Sequence, residues 1–341
     1  MKELKSTVLY RLPNSNQIVA LQGEFVRLNY NEINLNNLNG FIINSFDNND
    51  CLVLLNPQKK VWPQHEDFPF ETVVFQKGAS EPAINQPDYI ARIKELKEKM
   101  TLTGVSKTVF SRVIHITQAV NPKVTFQTMC LNYPETFCYL ISDAQTGTWM
   151  GASPEKLLNQ IPTGEIQIHA LAGTQQKDHI NWTEKEYEEQ QLVTDYIANK
   201  LTDHGFSDFT IGNRETIVTG KVAHLRTMFH LKDSEHLDKL VRLLHPTPAV
   251  CGTPSDQAKS LIVASEQHKR KFYTGFLGSL GTELGVHLFV NLRCMQITTG
   301  GTYIYVGGGI TQKSEPEAEW NETELKAETL LQVITFQQKN N

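Results

Sequence analysis

The chain has 341 residues, of which 40% are hydrophobic and 20% charged, and its formal net charge is −5. This composition is typical of a folded globular protein and excludes long disordered or low-complexity segments. The negative charge gives no general attraction for nucleic acid or for an anionic membrane. We therefore expect neither as a partner, and any anionic ligand must be held by local cations, backbone dipoles or a metal.

The five cysteines form no CxxC pair, and their odd number favours free thiols in a reducing compartment. The first residues lack the apolar core of a signal peptide. No apolar run reaches the eighteen residues that a membrane-spanning helix requires. We therefore expect a cytoplasmic protein.

Residues 1–85 are predicted to form short strands separated by turn-rich segments in which asparagine is frequent. No residue of this region is a candidate for chemistry. The predicted strands are residues 18–21, 41–43, 51–55 and 72–75.

The next region alternates helix and strand. Apolar residues at helical spacing predict a helix that begins after Pro87 and Asp88 and ends at Gly104. The β-branched run that follows predicts a strand over residues 107–116, with Lys107 at its entrance. Two tight turns at strand ends are also predicted, over 151–156, which includes Glu155, and over 172–174. Further strands are predicted at residues 137–142, 148–150 and 165–171.

The longest predicted helix covers residues 182–203. Its buried stripe, followed back by one and two turns, reaches Glu189 and Glu186, so this carboxylate pair lies near the face that enters the protein. The stripe consists of Leu192, Val193, Tyr196, Ile197 and Leu201. Helices are also predicted at 233–244 and 258–272, and strands at 215–219, 285–293 and 302–306. Three prolines within residues 245–254 predict an ordered irregular loop.

The stretch 305–329 combines a glycine triplet with an acidic helix. Gly307, Gly308 and Gly309 are predicted to form a turn where backbone can approach a ligand closely. Glu319, Glu322 and Lys326 then share one helix face. A solvated acidic helix start is the alternative interpretation. Oxygen ligands of this kind, in two glutamate pairs, suit Mg²⁺ and do not suit zinc. Arg293, a lone cation after an apolar run, indicates a buried carboxylate partner from protein or ligand.

Many of these segments resemble the chorismate-utilising enzymes, in the family's order over residues 88–331. The matching segments are KTVFSR from Lys107, GASPE from Gly151, LAGT from Leu171, HL at His224, LHPTPAVCGTP from Leu244, YTG from Tyr273, Arg293 and SEPEAEWNET from Ser314. The resemblance implies an α+β fold with a single large domain, in which a β-sheet core is surrounded by helices. Residues 1–85 would be a shortened N-terminal part of that domain, and residues 86–335 its chorismate-binding catalytic region.

The family contains several reactions, and three features favour isochorismate synthase. Lys107 stands where the resemblance implies a water-activating lysine, whereas ammonia-using anthranilate synthases typically have glutamine. Ala172 stands where many aminodeoxychorismate synthases carry a nucleophilic lysine. The LHPTPAVCGTP segment is more similar to isochorismate synthases than to salicylate synthases. Salicylate synthase, an ammonia-using synthase and a chorismate-binding subunit without catalysis stay as alternatives.

The resemblance also implies roles for individual residues. Lys107 would be the general base and Glu155 the general acid. Mg²⁺ would lie between Glu186, Glu189, Glu319 and Glu322. Substrate contacts would come from Thr174, His224, Tyr273, Arg293, Gly307, Gly308, Gly309 and Lys326. We expect chorismate as the substrate, no glutaminase subunit and a monomer, with the product used for menaquinone or catechol siderophore synthesis.

Overall fold

The computed structural model describes residues 5–66, 68, 70, 81–219, 222–232, 235–281 and 285–337. The predicted strand at 72–75 lies outside these residues. The helices are α1 (Gln86–Thr103), α2 (Pro122–Asn132), α3 (Glu184–Asp203), α4 (Leu237–Leu244), α5 (Ser255–Ser265) and α6 (Pro316–Leu331). The first ten strands are β1 (Ser6–Arg11), β2 (Gln17–Gly23), β3 (Phe25–Leu28), β4 (Gly40–Asn44), β5 (Cys51–Leu55), β6 (Gln58–Pro63), β7 (Lys107–Ile116), β8 (Phe137–Asp143), β9 (Gly147–Ser153) and β10 (Lys156–Gln160). The others are β11 (Ile166–Gln176), β12 (Phe209–Ile211), β13 (Glu215–Thr219), β14 (Val222–Leu231), β15 (Gly252–Thr253), β16 (Phe276–Leu280), β17 (Val286–Val290), β18 (Cys294–Thr298) and β19 (Gly301–Thr311).

The strands form two large sheets in which neighbouring strands run antiparallel. The nine-stranded sheet has the order β15-β7-β19-β18-β9-β8-β1-β2-β6. The ten-stranded sheet has the order β12-β14-β11-β10-β17-β16-β4-β5-β3, with β13 also paired to β14. Strands from before residue 66 enter both sheets, so the N-terminal region is built into the same core as the rest.

The two sheets pack face to face with helices on their outer sides. Strand β8 illustrates the arrangement, because Phe137 and Tyr139 point into the cluster between the sheets while Cys138 and Leu140 point to the cluster under α2 and α6. Helices α3 and α4 cover the ten-stranded sheet, and α1 and α5 pack beside β7. The result is a helix–sheet–sheet–helix arrangement. All five cysteines are free and buried.

Several predicted elements agree closely with the structure. Strand β7 begins and ends at the predicted residues, and α1 ends where Gly104 adopts a left-handed conformation with φ of 70°. Helix α3 covers nearly the predicted range. None of the helices among the described residues is long and apolar enough to span a membrane.

Other predicted elements were wrong in extent. Strand β11 runs on to Gln176, so residues 172–174 form a bulge within the strand, with Gly173 at φ of +71°. The helix predicted over 258–272 is α5, which begins at Ser255 and ends at Ser265. The helix predicted from 233 begins at Leu237. Leu192, predicted in the buried stripe of α3, is 70% exposed. Helix α2 has no counterpart among the predicted elements.

Candidate active site

The glycine triplet was predicted as a turn, but it lies inside β19. Gly307, Gly308 and Gly309 pair across the sheet with Ser111, Phe110 and Val109 of β7. The prediction was wrong because this backbone stays extended and is held by its long-range partner, which local sequence does not reveal. Side chains of β7, of α6 and of Tyr273 fill the space where the β-carbons of these residues would lie. Because these side chains approach the backbone so closely, the three positions require glycine.

Two of the three glycines direct their backbone amides away from β7. The amides of Ser111 and Val109 donate outward, to Glu266 Oε1 and to the carbonyl of Cys251 respectively. These two residues therefore do not exchange hydrogen bonds with their partners, Gly307 and Gly309. On the other side of β19, β18 pairs only up to Tyr305 in the described register. The N–H groups of Gly307 and Gly309 thus point to an edge that no described strand covers, and such donors can receive an anion.

Helix α6 places two carboxylates and an ammonium over these glycines. A methyl group added at Gly308 would lie 3.0 Å from Glu319 Oε2 and 4.0 Å from Glu322 Oε1. Lys326 Nζ lies 2.5 Å from Glu322 Oε1 and donates to the carbonyl of Gly307 at 2.9 Å. The three side chains predicted to share one helix face therefore do converge on β19.

The position of α6 is set by Arg112, which is buried in β7. Its Nε donates to Thr323 Oγ1 at 2.8 Å, and its Nη2 pairs with the carboxylate of Glu324. The guanidinium also lies 3.8 Å from the ring centroid of Trp320. A buried guanidinium needs such partners to offset its desolvation. These contacts fix the helix, and with it Glu319 and Glu322, relative to the glycines.

Lys107 lies beside the third glycine, at the start of β7. A methyl group at Gly309 would come within 3.0 Å of Lys107 Cε and 3.6 Å of its Nζ. The lysine side chain therefore lies against the glycine strand at Gly309.

Glu155 lies where the chain crosses from β9 in one sheet to β10 in the other. Burial raises the pKa of its carboxyl to about 7, and the positive charges of Lys107 and Lys326 oppose that rise. Both lysines come from the side of the nine-stranded sheet, and their charges act on the Glu155 carboxyl, so the three groups lie near one another. A carboxyl with this pKa is partly protonated near neutral pH and can act as an acid.

Arg293 and Tyr273 form another wall of the site. Arg293 follows β17 in a bend with φ of 47°, rather than in the predicted strand, and its Nη1 donates to the carbonyl of Lys326 at 3.1 Å. Burial lowers the pKa of Arg293, while Tyr273 and the negative charge of Glu322 oppose this. The Tyr273 hydroxyl faces β19, 2.9 Å from a methyl group added at Gly307. A half-buried cation and a hydroxyl thus flank the glycines.

His224 enters the site from β14. Its Nδ1 lies 3.1 Å from the carbonyl of Gly173, which can only accept, so Nδ1 carries the proton. Burial lowers the pKa of this histidine, and the positive charges of Arg293 and Lys326 lower it further. The ring is therefore neutral near pH 7. Thr174 pairs with His224 in the sheet register, but its side chain is outside the described part of the structure.

The glutamates of α3 are held differently from those of α6. Glu186 Oε2 accepts hydrogen bonds from the Thr183 amide at 2.9 Å and from the Thr183 hydroxyl at 2.5 Å, as in a helix capping box. Glu189 lies on the exposed side. Among the described residues, no three His, Cys, Asp or Glu side chains are grouped closely enough to hold a metal ion. The predicted four-glutamate site stays a prediction, and the structure brings together its α6 half.

A small cleft beside Glu155 is lined by residues that the sequence interpretation did not single out. They include Tyr196 of α3 and Thr247 and Ala249 of the proline-rich loop. The sequence marked this loop through its three prolines, but spacing alone does not show which of its side chains reach the cleft.

The family now follows from sequence comparison. A model described as "Chorismate binding enzyme" matches residues 58–335. The chain belongs to the chorismate binding enzyme family. The resemblance and the α+β fold expected from it are confirmed. Isochorismate synthase EntC of Escherichia coli (strain K12) is 30% identical in an alignment 246 residues long that covers 67% of this chain. The match spans 62% of EntC, less than two thirds of that relative's length.

Two solved structures show how widely this fold is used. MenF, the menaquinone-specific isochorismate synthase from Escherichia coli, matches with a TM-score of 0.78 and 19% identity, over 97% of this chain and 89% of MenF. Anthranilate synthase component I from Streptococcus pneumoniae TIGR4 matches with a TM-score of 0.72 and 17% identity, over 97% of this chain and 93% of that one. Because proteins named for different reactions share the fold, the reaction must be argued from the site.

Proposed function

We propose that the chain is an isochorismate synthase, an isomerase that converts chorismate to isochorismate with Mg²⁺ and without a glutaminase subunit. The observation that carries this proposal is that Lys107, beside Gly309, lies close enough to Glu155 for its charge to act on that carboxyl. The amine of Lys107 supplies a base, and the carboxyl of Glu155, whose pKa is about 7, supplies an acid for the same turnover.

The reaction adds water at C2 of the chorismate ring and expels the hydroxyl from C4, while the ring double bonds shift. Lys107 in its neutral form takes a proton from the attacking water. Protonated Glu155 gives a proton to the departing hydroxyl, which leaves as water. One water enters and one leaves, so the net change is an isomerisation, and a proton returns from Lys107 to Glu155 before the next turnover.

The anionic substrate would be held by the positive groups around β19. The amides of Gly307 and Gly309 point to the open edge of the strand, where Arg293 and Lys326 supply positive charge. Tyr273 and neutral His224 would exchange hydrogen bonds with the substrate. Chorismate has two carboxylates, and a site with two cations and backbone donors is complementary to them.

The pair of carboxylates over Gly308 fits a hard cation. Glu319 and Glu322 would hold Mg²⁺, with Glu189 and Glu186 of α3 as the further ligands that the resemblance implies. When bound, the ion supplies positive charge to a substrate carboxylate. In this structure Lys326 makes the ion pair with Glu322, so the ammonium compensates part of the same negative charge.

Product analysis tests the proposal directly. The purified chain would be incubated with chorismate and Mg²⁺, with and without ammonium, and the products separated by chromatography. We expect isochorismate in both cases. Salicylate with pyruvate would identify a salicylate synthase, an ammonium-dependent aromatic amine would identify an ammonia-using synthase, and the absence of turnover would contradict catalysis by this chain.

A further inference from the structure

Strand β7 carries Lys107 and lies near the edge of the nine-stranded sheet. Beyond it, the short strand β15 pairs with Lys107 and Thr108, and the carbonyl of Cys251 accepts the Val109 amide at 2.9 Å. The backbone groups of β7 that follow need other partners if they are not to be buried unsatisfied.

Beyond the end of β15, the side chains of Glu266 and Arg270 form hydrogen bonds with the backbone of β7. The Ser111 amide donates to Glu266 Oε1 at 2.8 Å, and Arg270 Nη2 donates to the carbonyl of Val109 at 2.8 Å. The Glu266 carboxylate thus accepts a hydrogen bond from the backbone of β7, and the Arg270 guanidinium donates one to it, as the carbonyl and amide groups of a neighbouring strand would. The Ser111 hydroxyl also donates to Glu266 Oε1, at 2.7 Å.

Glu266 and Arg270 also hold each other in a fixed geometry. Arg270 Nη2 lies 2.6 Å from Glu266 Oε1, and Arg270 Nε lies 2.8 Å from Glu266 Oε2, so the pair is bidentate. Both side chains are 3% exposed. A buried ion pair is weak evidence for stability, since its desolvation cost is high, so a role beyond stability is worth testing.

The same pair reaches three parts of the proposed site. Val109 and Ser111 lie opposite Gly309 and Gly307, whose amides face the open edge of β19. Val109 is two residues from Lys107. On the other side, Arg270 Nη1 donates at 2.9 Å to the carbonyl of Val250, in the loop that lines the cleft beside Glu155.

We propose that Glu266 and Arg270 are positioning residues that fix Lys107 and the glycines of β19 in their working geometry. This inference rests on the proposed function for its activity readout. The pair touches no reacting atom, and it acts by holding the outer edge of β7 while the inner edge of that strand holds β19. A displacement of about 1 Å at a reacting group lowers turnover on the order of 100-fold, so loss of the pair is expected to reduce kcat.

Two variants test the pair. The double variant Glu266→Gln/Arg270→Gln removes both charges together and leaves no unpaired buried ion. The single variant Arg270→Lys keeps the charge but replaces the planar fork, which one ammonium cannot reproduce toward Val109, Val250 and Glu266 at once. A matched control is Asp238→Asn/Arg242→Gln in α4, another ion pair four residues apart whose arginine donates to a backbone carbonyl, that of Ile33.

The measurements are kcat and KM for chorismate with Mg²⁺, and amide hydrogen exchange by segment. We expect kcat to fall about 100-fold in the double variant and about tenfold in Arg270→Lys, with KM changed less than about threefold. Exchange should rise at least about tenfold in residues 107–116 and 301–311 and stay unchanged elsewhere. The control should leave kcat within about twofold and exchange in both strands unchanged.

Folded variants with wild-type kcat, or exchange that rises evenly along the chain, would overturn the proposal. If the double variant does not fold, Arg270→Lys decides by the same criteria. If the wild-type chain does not turn over chorismate, the proposed function fails, but exchange still decides the positioning role. A rise confined to β7 and β19 then supports it, and a uniform rise or none overturns it.

Discussion

Helices α3 and α6 each carry two glutamates three residues apart, yet the two pairs have different surroundings. On α6, Glu319 and Glu322 meet a glycine of β19 and an ammonium. On α3, Glu186 accepts two hydrogen bonds from Thr183 at the helix start, and Glu189 is exposed. The same spacing therefore serves different purposes, because a glutamate in the third position of a helix can be satisfied by its own N-terminus.

The comparison also explains why the α6 side is the more completely formed half of the site. Arg112 ties α6 to β7 through Thr323 and Glu324, so the carboxylates, the glycines and Lys107 are held by one set of contacts. Helix α3 is anchored by Gln190, which donates to the Ala170 carbonyl at 3.3 Å and accepts from Arg214 Nε at 2.6 Å. Those contacts fix the helix to its own sheet and not to α6.

The largest expected effect tests whether Lys107, on the strand β7 that Arg112 ties to α6, is the general base. Replacement of Lys107 by alanine should lower kcat by about 10²–10⁴ while chorismate binding is largely kept, since a general base contributes that much to turnover. Steady-state kinetics and a binding measurement check this. Lys99→Ala, on the exposed face of α1, is the control. An unchanged kcat in Lys107→Ala would move the base elsewhere.

The next effect compares the two glutamate pairs directly. Glu322→Gln should weaken Mg²⁺ binding at least about tenfold, because it removes a charged oxygen ligand, whereas Glu186→Gln should weaken it less, because hydrogen bonds from Thr183 already occupy one carboxylate oxygen of Glu186. Calorimetry of Mg²⁺ binding with a substrate analogue present measures both, and exposed Glu328→Gln on α6 is the control. A larger loss in Glu186→Gln than in Glu322→Gln would reverse the comparison.

Glu155 should make the folding stability depend on pH. Its pKa is raised from 4.5 to about 7 by burial, so the folded state keeps a proton that the unfolded state releases. The stability contributed by this group is therefore present below about pH 4.5 and is lost as the pH rises to about 7. At pH 8, Glu155→Gln should be more stable than wild type by on the order of 2 kcal/mol, with little difference at pH 4.5.

Urea unfolding of both proteins at the two pH values checks the Glu155 prediction. The matched control is Glu165→Gln at a half-exposed position, where a hydrogen bond with His230 lowers the pKa of the carboxyl, so this change should not stabilise the protein at pH 8. If the free energy of unfolding depends on pH equally in wild type and Glu155→Gln, the pKa of the Glu155 carboxyl is not raised by burial.

The smallest effect concerns the helix cap of α3. Glu186→Ala should destabilise the protein by on the order of 1 kcal/mol through loss of the hydrogen bonds to Thr183. Thermal unfolding measures this, with exposed Glu188→Ala as the control. If Glu186→Ala leaves stability unchanged but abolishes Mg²⁺ binding, Glu186 belongs to the metal and not to the cap.

Local patterns predicted elements well where one segment decides its own structure. Strand β7 was predicted to its end residues because Gly104 ends α1 and a β-branched run follows. The triplet at Gly307 was predicted as a turn because its extended form depends on β7, which is distant in sequence.

The candidate site was predicted mainly through the family resemblance. Charge patterns alone indicated two glutamate pairs, and the structure brings the α6 pair against Gly308, while Glu186 of α3 lies against Gly173. That Lys107 lies near Glu155 depends on how two sheets meet, which periodicity cannot show. The roles of Glu189 and of the Thr174 side chain stay predictions.

The most direct test of the central claim is an isotope experiment on the purified chain. Chorismate would be converted with Mg²⁺ in water enriched in oxygen-18, and the product examined by mass spectrometry at an early time. If Lys107 activates solvent water for addition at C2, isochorismate should carry one oxygen-18 atom in its ring hydroxyl. Unlabelled isochorismate, or no isochorismate at all, would contradict the account.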